Sequence, residues 1–354
     1  MIIPSRYTPL KKSFDGGMST AALYCDRHLE RNVIIKKLLP GADQKRIIDE
    51  IKALSSIRSD HVVEIYDVIR DEVGSVAAIV EEFIDGEDLL AKAGKVSATE
   101  ALSIGGQLAS GIEDVHRHGQ IHRDIKLNNI KIDQEGCLKL FDFGLSRSSS
   151  SAATTGLVGT FGYIAPELCA PPNGRVTFTQ SVDVYAFASV MLRLVRGKFP
   201  DDLKKVPPRL PCADANFHNQ QTKLPHEVCS ILNECHATHP LVRPSMTAVS
   251  EVFKRHILMS QHRATLVVGN NVYVLDAKNN SVNINAGVMG RCTVTYDGFS
   301  FAITAISGEI YVNNVPASLP TALPGSCVIT MGPPSAGMNR VYVPVDVSHP
   351  ESRA

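Results

Sequence analysis

One short segment concentrates polar residues at spacings suited to phosphate chemistry. His122-Arg123-Asp124-Ile125-Lys126-Leu127-Asn128-Asn129 sets a carboxylate, a Lys two residues on and an amide five residues on in one loop. Thirteen residues after Asn129 stands Asp142, followed by Phe143 and Gly144. The stretch between them, Ile130 to Phe141, reads as two strands joined at Gln134-Glu135-Gly136. Such a hairpin would bring Asn129 and Asp142 side by side. An Asn oxygen beside an Asp oxygen suits Mg²⁺, a hard ion that keeps waters and takes its other ligands from phosphates. Asp124 is then left to accept a proton from an attacking hydroxyl, and Lys126 to neutralise a moving phosphate.

The elements that must position this loop follow from periodicity. The chain opens with short strands to about Lys37, and Ile47, Ile48, Ile51 and Leu54 then follow helical spacing. Ile104, Leu108, Ile112 and Val115 mark a longer helix that begins at a capping box, Ser97-x-x-Glu100, and stops at Gly119. Further helices fit Ser181 to Val195 and Pro244 to Phe253. After Ala264 the period changes to two. Strands are expected at 265–268, 272–275, 282–285, 292–296, 299–306, 310–313, 327–331 and 341–345, with Asp297-Gly298 as a tight hairpin signal. Eight short strands suggest a small β-sandwich, with the boundary near Met259 to Arg263.

Composition narrows the function classes. The 354 residues suit about two domains. Lys+Arg and Asp+Glu are both 36, so the net charge is zero, without the basic surplus of a nucleic-acid binder. Trp is absent and aromatics are 6%, which disfavours stacking platforms for single strands. No segment approaches the ~20 apolar residues of a membrane span. The opening residues do not read as a signal peptide. The eight cysteines are scattered without a Cys-x-x-Cys pair and read as reduced thiols. The expectation is a cytoplasmic protein with no nucleic-acid partner and no membrane span.

The loop at 122–129, Asp142-Phe143-Gly144 and Ala165-Pro166-Glu167, in that order, resemble the serine/threonine protein kinases of the bacterial, eukaryotic-like type. The resemblance implies an α+β fold, with a two-lobed kinase domain over 1–258 (a β-rich N-lobe about 1–84 and a helical C-lobe about 85–258). It also implies ATP as phosphate donor with Mg²⁺, or Mn²⁺ in its place, and protein Ser/Thr hydroxyls as acceptors. Residue by residue, Asp124, Lys126, Asn129 and Thr160 take catalytic roles, and Asn129 and Asp142 hold the metal. Val33-Ile34-Ile35-Lys36 resembles the strand with the phosphate-binding lysine, which makes Glu50 its ion-pair partner. Val80 to Gly86 resembles the hinge, so the backbone of Glu82 to Ile84 would bond adenine. Asp183 braces the catalytic loop, Arg243 pairs with Glu167, and His122 is a core brace. Lys126 and Gly159-Thr160-Phe161-Gly162-Tyr163 point to Ser/Thr substrates.

Arg123 beside Asp124 is the mark of kinases switched by phosphorylation of the activation loop. Ser148, Ser149, Ser150, Ser151, Thr154 and Thr155 are its candidate phosphosites. Autophosphorylation there is expected.

Some positions depart from the family pattern. Phe14 and Ser19 replace two glycines of the phosphate loop, where Gly16 and Gly17 keep the tip free. The adenine roof has Ala21 and Ile34, an exchange of the usual volumes. Glu81 falls at the gatekeeper position; a buried carboxylate must be paired or protonated, and it competes with Glu50 for Lys36. The alternative is a pseudokinase scaffold. Residues 264–346 resemble a degenerate forkhead-associated domain through 295–301, 310–314 and 324–332, which implies a protein or phosphopeptide partner. Such domains use a Gly-Arg pair and a Ser-x-x-His segment. The latter aligns with Val288-Met289-Gly290-Arg291, neither signature survives clearly, and Arg291 and Asn313 are the residues to watch.

Overall fold

The computed structural model describes residues 3–16, 19–38, 44–143, 160–169 and 178–348; the side chains of 11–16, 19, 20, 46, 49, 50 and 53 are excepted. The chain divides into two compact units, Met1–Phe253 and Lys254–Arg353.

The first unit opens with β1 (Tyr7–Gly16), β2 (Ser19–Asp26), β3 (Arg31–Lys37), helix α1 (Gln44–Ser55), β4 (Ile65–Arg70) and β5 (Val76–Glu82). The strands form one antiparallel sheet in the order β1-β2-β3-β5-β4. Val33, Ile35, Ala78 and Val80 bury one face of it, and alternation along the strands sends Ile34, Lys36, Ile79 and Glu81 to the other. Ile47 and Ile51 of α1 pack on Val76 and Ile79, as their helical spacing requires.

After Glu82 the chain leaves the sheet and enters β6 (Gly86–Asp88) and helix α2 (Ala98–Arg117). Half of the expected capping box forms: Ser97 Oγ accepts the Glu100 N–H at 3.1 Å. The Glu100 carboxylate takes Lys92 Nζ at 2.6 Å. A long-range cation has won over the local backbone amide. The hairpin β7 (Ile130–Asp133) and β8 (Leu138–Leu140) turns where the sequence placed it. Asp133 Oδ1 accepts the N–H groups of Glu135 and Cys137, and Gly136 takes the positive φ of +84° that an L side chain resists.

The helical lobe continues with α3 (Pro166–Cys169), α4 (Gln180–Arg196), α5 (His226–Cys235) and α6 (Met246–Ile257). Helix α5 was not legible in the periodicity. Its ten residues alternate apolar and polar too briefly to stand out. Ile104 and Leu108 of α2 join Phe187 and Met191 of α4 and Phe253 of α6 in one core. Gly105 matters here, because a Cβ would collide with the Phe253 ring.

The second unit is all antiparallel β apart from short turns. Its sheets run β10-β9-β18-β17-β14-β15 and β11-β12-β13-β16, with β9 Ala264–Val268, β10 Asn271–Leu275, β11 Ser281–Asn285, β12 Arg291–Tyr296, β13 Phe301–Ser307, β14 Ile310–Val312, β15 Val315–Pro316, β16 Thr321–Ala322, β17 Cys327–Met331 and β18 Val341–Val347. Leu266, Ile284, Val294, Ile303, Ile329 and Val343 fill the space between the sheets. All eight expected strands are present. The two extra ones, β15 and β16, have two residues each and carry no period. The Asp297-Gly298 hairpin is wider than a two-residue turn: Tyr296 pairs with Phe301, and Asp297 Oδ1 accepts the N–H groups of Phe299 and Ser300.

Candidate active site

The catalytic loop is built by short-range bonds on top of one buried brace. Asp183, near the start of α4, accepts the backbone N–H groups of His122 at 2.8 Å and Arg123 at 2.9 Å. His116 Nε2 lies 3.0 Å from the same carboxylate. These bonds hold Arg123 at φ +69°, a conformation non-glycine residues adopt only under constraint. His122 Nδ1 accepts the Asp124 N–H, and its Nε2 donates to the Phe141 carbonyl at 3.2 Å. Burial pushes the His122 pKa down, against the pull of Asp183 and Asp124, so the imidazole is neutral and that bonding pattern has one tautomer.

Asp124 follows this brace in the chain and is 8% exposed. Lys126 Nζ donates to its Oδ2 at 2.8 Å and Asn129 Nδ2 to the same oxygen at 3.0 Å. Asn129 Nδ2 also donates to the Asp124 carbonyl. With its nitrogen turned to Asp124, the Asn129 amide leaves its oxygen to other partners. The β7–β8 hairpin returns the chain so that the Phe141 N–H donates to the Asn129 carbonyl at 3.0 Å. Asp142 follows at φ +64°. Its Oδ1 is 3.4 Å from Lys36 Nζ. Phe143 turns away into the cluster of Leu54, Ile57, Val62 and Val115, with its ring 4.3 Å from that of His122.

Lys36, Ala21, Ile34, Glu81, Glu82, Phe83, Ile84, Asn129 and Asp142 line one cavity of about 490 Å³, together with Asp88, Lys131 and Phe141. The structure thus brings Ala21, Ile34, the segment 82–84 and Asn129 to one cleft with Lys36 and Asp142. Asp88 and Lys131 were missed in the sequence. They are directly opposite each other in the β6–β7 ladder, and the three residues of β6 carry no hydrophobic alternation that would reveal it. Lys36 Nζ is 2.9 Å from Glu81 Oε2. Burial lowers the Lys36 pKa, but the carboxylates of Glu81 and Asp142 outweigh it and hold the ammonium charged.

Thr160 and Asp124 line a smaller pocket with Arg123 and Asp183. Below it, Arg243 grips Glu167 with two parallel bonds of 2.7 and 2.8 Å, and also donates to the carbonyls of Ser181, Ala237 and Thr238. Gly16 pairs with Ser19 across the β1–β2 ladder. Gly17, Gly144 and the candidate phosphosites Ser148, Ser149, Ser150, Ser151, Thr154 and Thr155 lie outside the described residues, as does the side chain of Glu50.

The donor set fits a hard divalent ion. One amide oxygen and one half-exposed carboxylate are oxygen ligands, and the open cavity beside them has room for phosphates and water to complete the shell. No cluster of three or more His, Cys, Asp or Glu competes for a metal among the described residues.

This constellation sits in a unit with a β-rich part followed by a helical part. The protein kinase domain family matches residues 7–253, and the chain belongs to that family. Members use ATP and a divalent metal. Similar curated proteins include a probable serine/threonine-protein kinase of Bifidobacterium longum, 31% identical over 57% of this chain and 28% of its own. Serine/threonine-protein kinase PrkC of Bacillus subtilis is 33% identical over 56% of this chain and 32% of its own. PknA of Corynebacterium glutamicum is 34% identical over 52% and 42%. The chain therefore spans well under half the length of these relatives. Among the described residues, no helix is long and apolar enough to cross a membrane.

Proposed function

We propose that the chain is a serine/threonine protein kinase acting in the cytoplasm, with ATP as donor and Mg²⁺ or Mn²⁺ as the metal. The observation that carries this is the Asp124 carboxylate, bonded to both Lys126 and Asn129, with Asn129 lining one cleft with Lys36 and Asp142. Asp124 orients a Ser or Thr hydroxyl and takes its proton as the new O–P bond forms. The bond from the γ-phosphorus to the bridging oxygen breaks, and ADP leaves. Lys126 offsets charge on the moving phosphoryl group, and Lys36 aligns the α- and β-phosphates. Asn129 and Asp142 would hold the metal, which when bound would neutralise charge at the phosphates. The backbone of Glu82 and Ile84 takes the adenine edge, between Ala21 and Ile34 above and Lys131 and Phe141 below. Gly16 and Gly17 are assigned to the phosphate-binding loop.

Autophosphorylation between 148 and 155 activates the chain, with Arg123 as the phosphate receptor. Its Nε is buried without a partner among the described residues, which supports that role. Thr160 positions the acceptor peptide. The pseudokinase reading draws on Phe14 and Ser19 at two glycine positions.

Incubation of the purified chain with radiolabelled ATP and Mg²⁺, beside Asp124→Asn, decides between them. The kinase reading expects label in the parent chain and loss in the variant. Equal labelling of both, or none in either, sinks it.

For residues 264–346 we propose a protein-binding module of forkhead-associated type. Arg291 is exposed, as a docking residue must be. Asn313 spends its side-chain oxygen on the Val328 N–H at 3.0 Å, which favours a general protein partner over a phosphopeptide. Pull-down with phosphothreonine and unmodified peptides tests it; selective retention of the phosphorylated form would reverse that preference.

A further inference from the structure

Lys36 stands between two carboxylates that differ in how they are held. Glu81 Oε2 is 2.9 Å from its Nζ, and the Glu81 side chain is 7% exposed. Asp142 Oδ1 is 3.4 Å away on a side chain 49% exposed. The closer partner is the buried one.

Strand register explains the contact. In the β3–β5 ladder Ile34 faces Glu81 and Lys36 faces Ile79. Residues two apart on a strand share a face, so Lys36 and Glu81 are diagonal neighbours on the cleft face of the sheet. Diagonal side chains are within reach when both are long, as Lys and Glu are. The register itself is fixed from the opposite face. A slip by one residue would expose Val33, Ile35, Ala78 and Val80 and bury the polar set. Both ends of the pair therefore hang from one rigid sheet. Breaking a buried pair from one side strands the other charge, so the contact is costly to give up.

We propose that Glu81 is the positioning residue for Lys36: a carboxylate on β5 that aims the ammonium at the nucleotide phosphates, so that sheet register sets the alignment of Lys36. This rests on the reading of the cleft as an ATP site with Lys36 at the phosphates. The effect of Glu81 on nucleotide binding must then run through Lys36 and through the phosphates. A residue that merely shaped the slot would act on the nucleoside as well.

The test is calorimetric titration of the full chain with two probes, adenosine and the Mg²⁺ complex of the non-hydrolysable ATP analogue AMP-PNP. Glu81→Gln keeps the shape and removes the charge. It is expected to weaken the Mg–AMP-PNP complex about tenfold, the scale of one charge-assisted bond. Adenosine affinity should stay within about twofold, and Glu81→Asp should recover part of the loss. In a Lys36→Met background, Glu81→Gln should add less than about twofold, the signature of coupling through one contact. Unchanged Mg–AMP-PNP affinity overturns the proposal. So does equal weakening of both probes, or additive loss in the double variant.

Phosphate transfer, measured in parallel, separates this from the catalytic reading. A chain that shows the Glu81 dependence in binding but transfers no phosphate keeps the Lys36–Glu81 assignment and loses the kinase activity. A chain that transfers phosphate equally well with Glu81→Gln does the reverse. A chain that binds neither probe overturns both.

Discussion

The two walls of the cleft are organised by different distances along the chain. On the helical wall, the partners of Asp124 lie two and five residues away, at Lys126 and Asn129. His122 bonds the backbone of Asp124. The Asp183 brace comes from farther off, and it holds backbone N–H groups rather than reacting side chains. On the sheet wall, the nearer described partner of Lys36, Glu81, is 45 residues away and arrives through strand pairing. The expected family pattern departs on the first wall only at Leu127, which stands for the usual Pro, and on the second at Phe14, Ser19, Ala21, Ile34 and Glu81. A loop whose geometry closes on itself tolerates little change. A sheet wall offers more than one place from which a carboxylate can reach the same ammonium.

The sharpest way to break this contrast is on the helical wall. Asp124→Asn should lower autophosphorylation by roughly 10²- to 10⁴-fold, the range for loss of a positioned acid–base group. Melting temperature should barely move, since the amide keeps one acceptor for Lys126 and Asn129. A mild loss of rate would mean that this wall does not carry the chemistry.

The next effect is on stability beneath that wall. Arg243 is fully buried at its side chain and pairs with Glu167. Glu167→Ala strands that charge and should cost about 3–5 kcal/mol in urea unfolding. The three carbonyls that Arg243 also reaches set the lower end. A cost under about 1 kcal/mol would show that those carbonyls alone satisfy it.

Acidification reads the same lobe. His236 is buried against Ser189 Oγ, and burial pushes its pKa down to about 3. His122 is lowered for the same reason. The unfolded chain binds these protons near pH 6.5, whereas the folded chain refuses them. The resulting stability is complete above about pH 6.5 and is lost as the pH falls toward the folded values. At pH 5 the His236 share of the loss is about 2 kcal/mol. A His236→Gln variant should lose that much less between pH 7.5 and pH 5 in denaturant melts. An identical pH slope in both proteins would refute the assignment.

The smallest effect belongs to the sheet wall. Ile34→Ala and Ala21→Val each disturb the roof by under about 1.5 kcal/mol, and the pair together should restore nucleotide affinity because the volumes are exchanged back. Additive losses would show that the two residues do not share one slot.

Much of the site was legible because its logic is local. The hairpin at 134–136 follows from turn chemistry, and it alone brings Asn129 to Asp142, as the Phe141–Asn129 bond shows. The strands of the second unit were equally plain, because β11 reads Ser-Val-Asn-Ile-Asn with Val282 and Ile284 inside. Helix α5 and strands β6, β15 and β16 escaped, since each is too short for a period to declare itself. The capping box formed by half because Lys92 offered Glu100 a better partner than the helix amide did.

The sequence by itself determined the kinase class of the first unit, the spacing of Asp124, Lys126, Asn129 and Asp142, and the alternation that folds the second. These depend on residues that are neighbours in the chain. Only the tertiary structure decided that Glu81 meets Lys36, where Asp88 and Lys131 enter the cleft, and that Arg123 is held at positive φ by Asp183. Each of these is a pairing across strands or between a helix and a loop. Its geometry is set by register and packing, which no local spacing encodes.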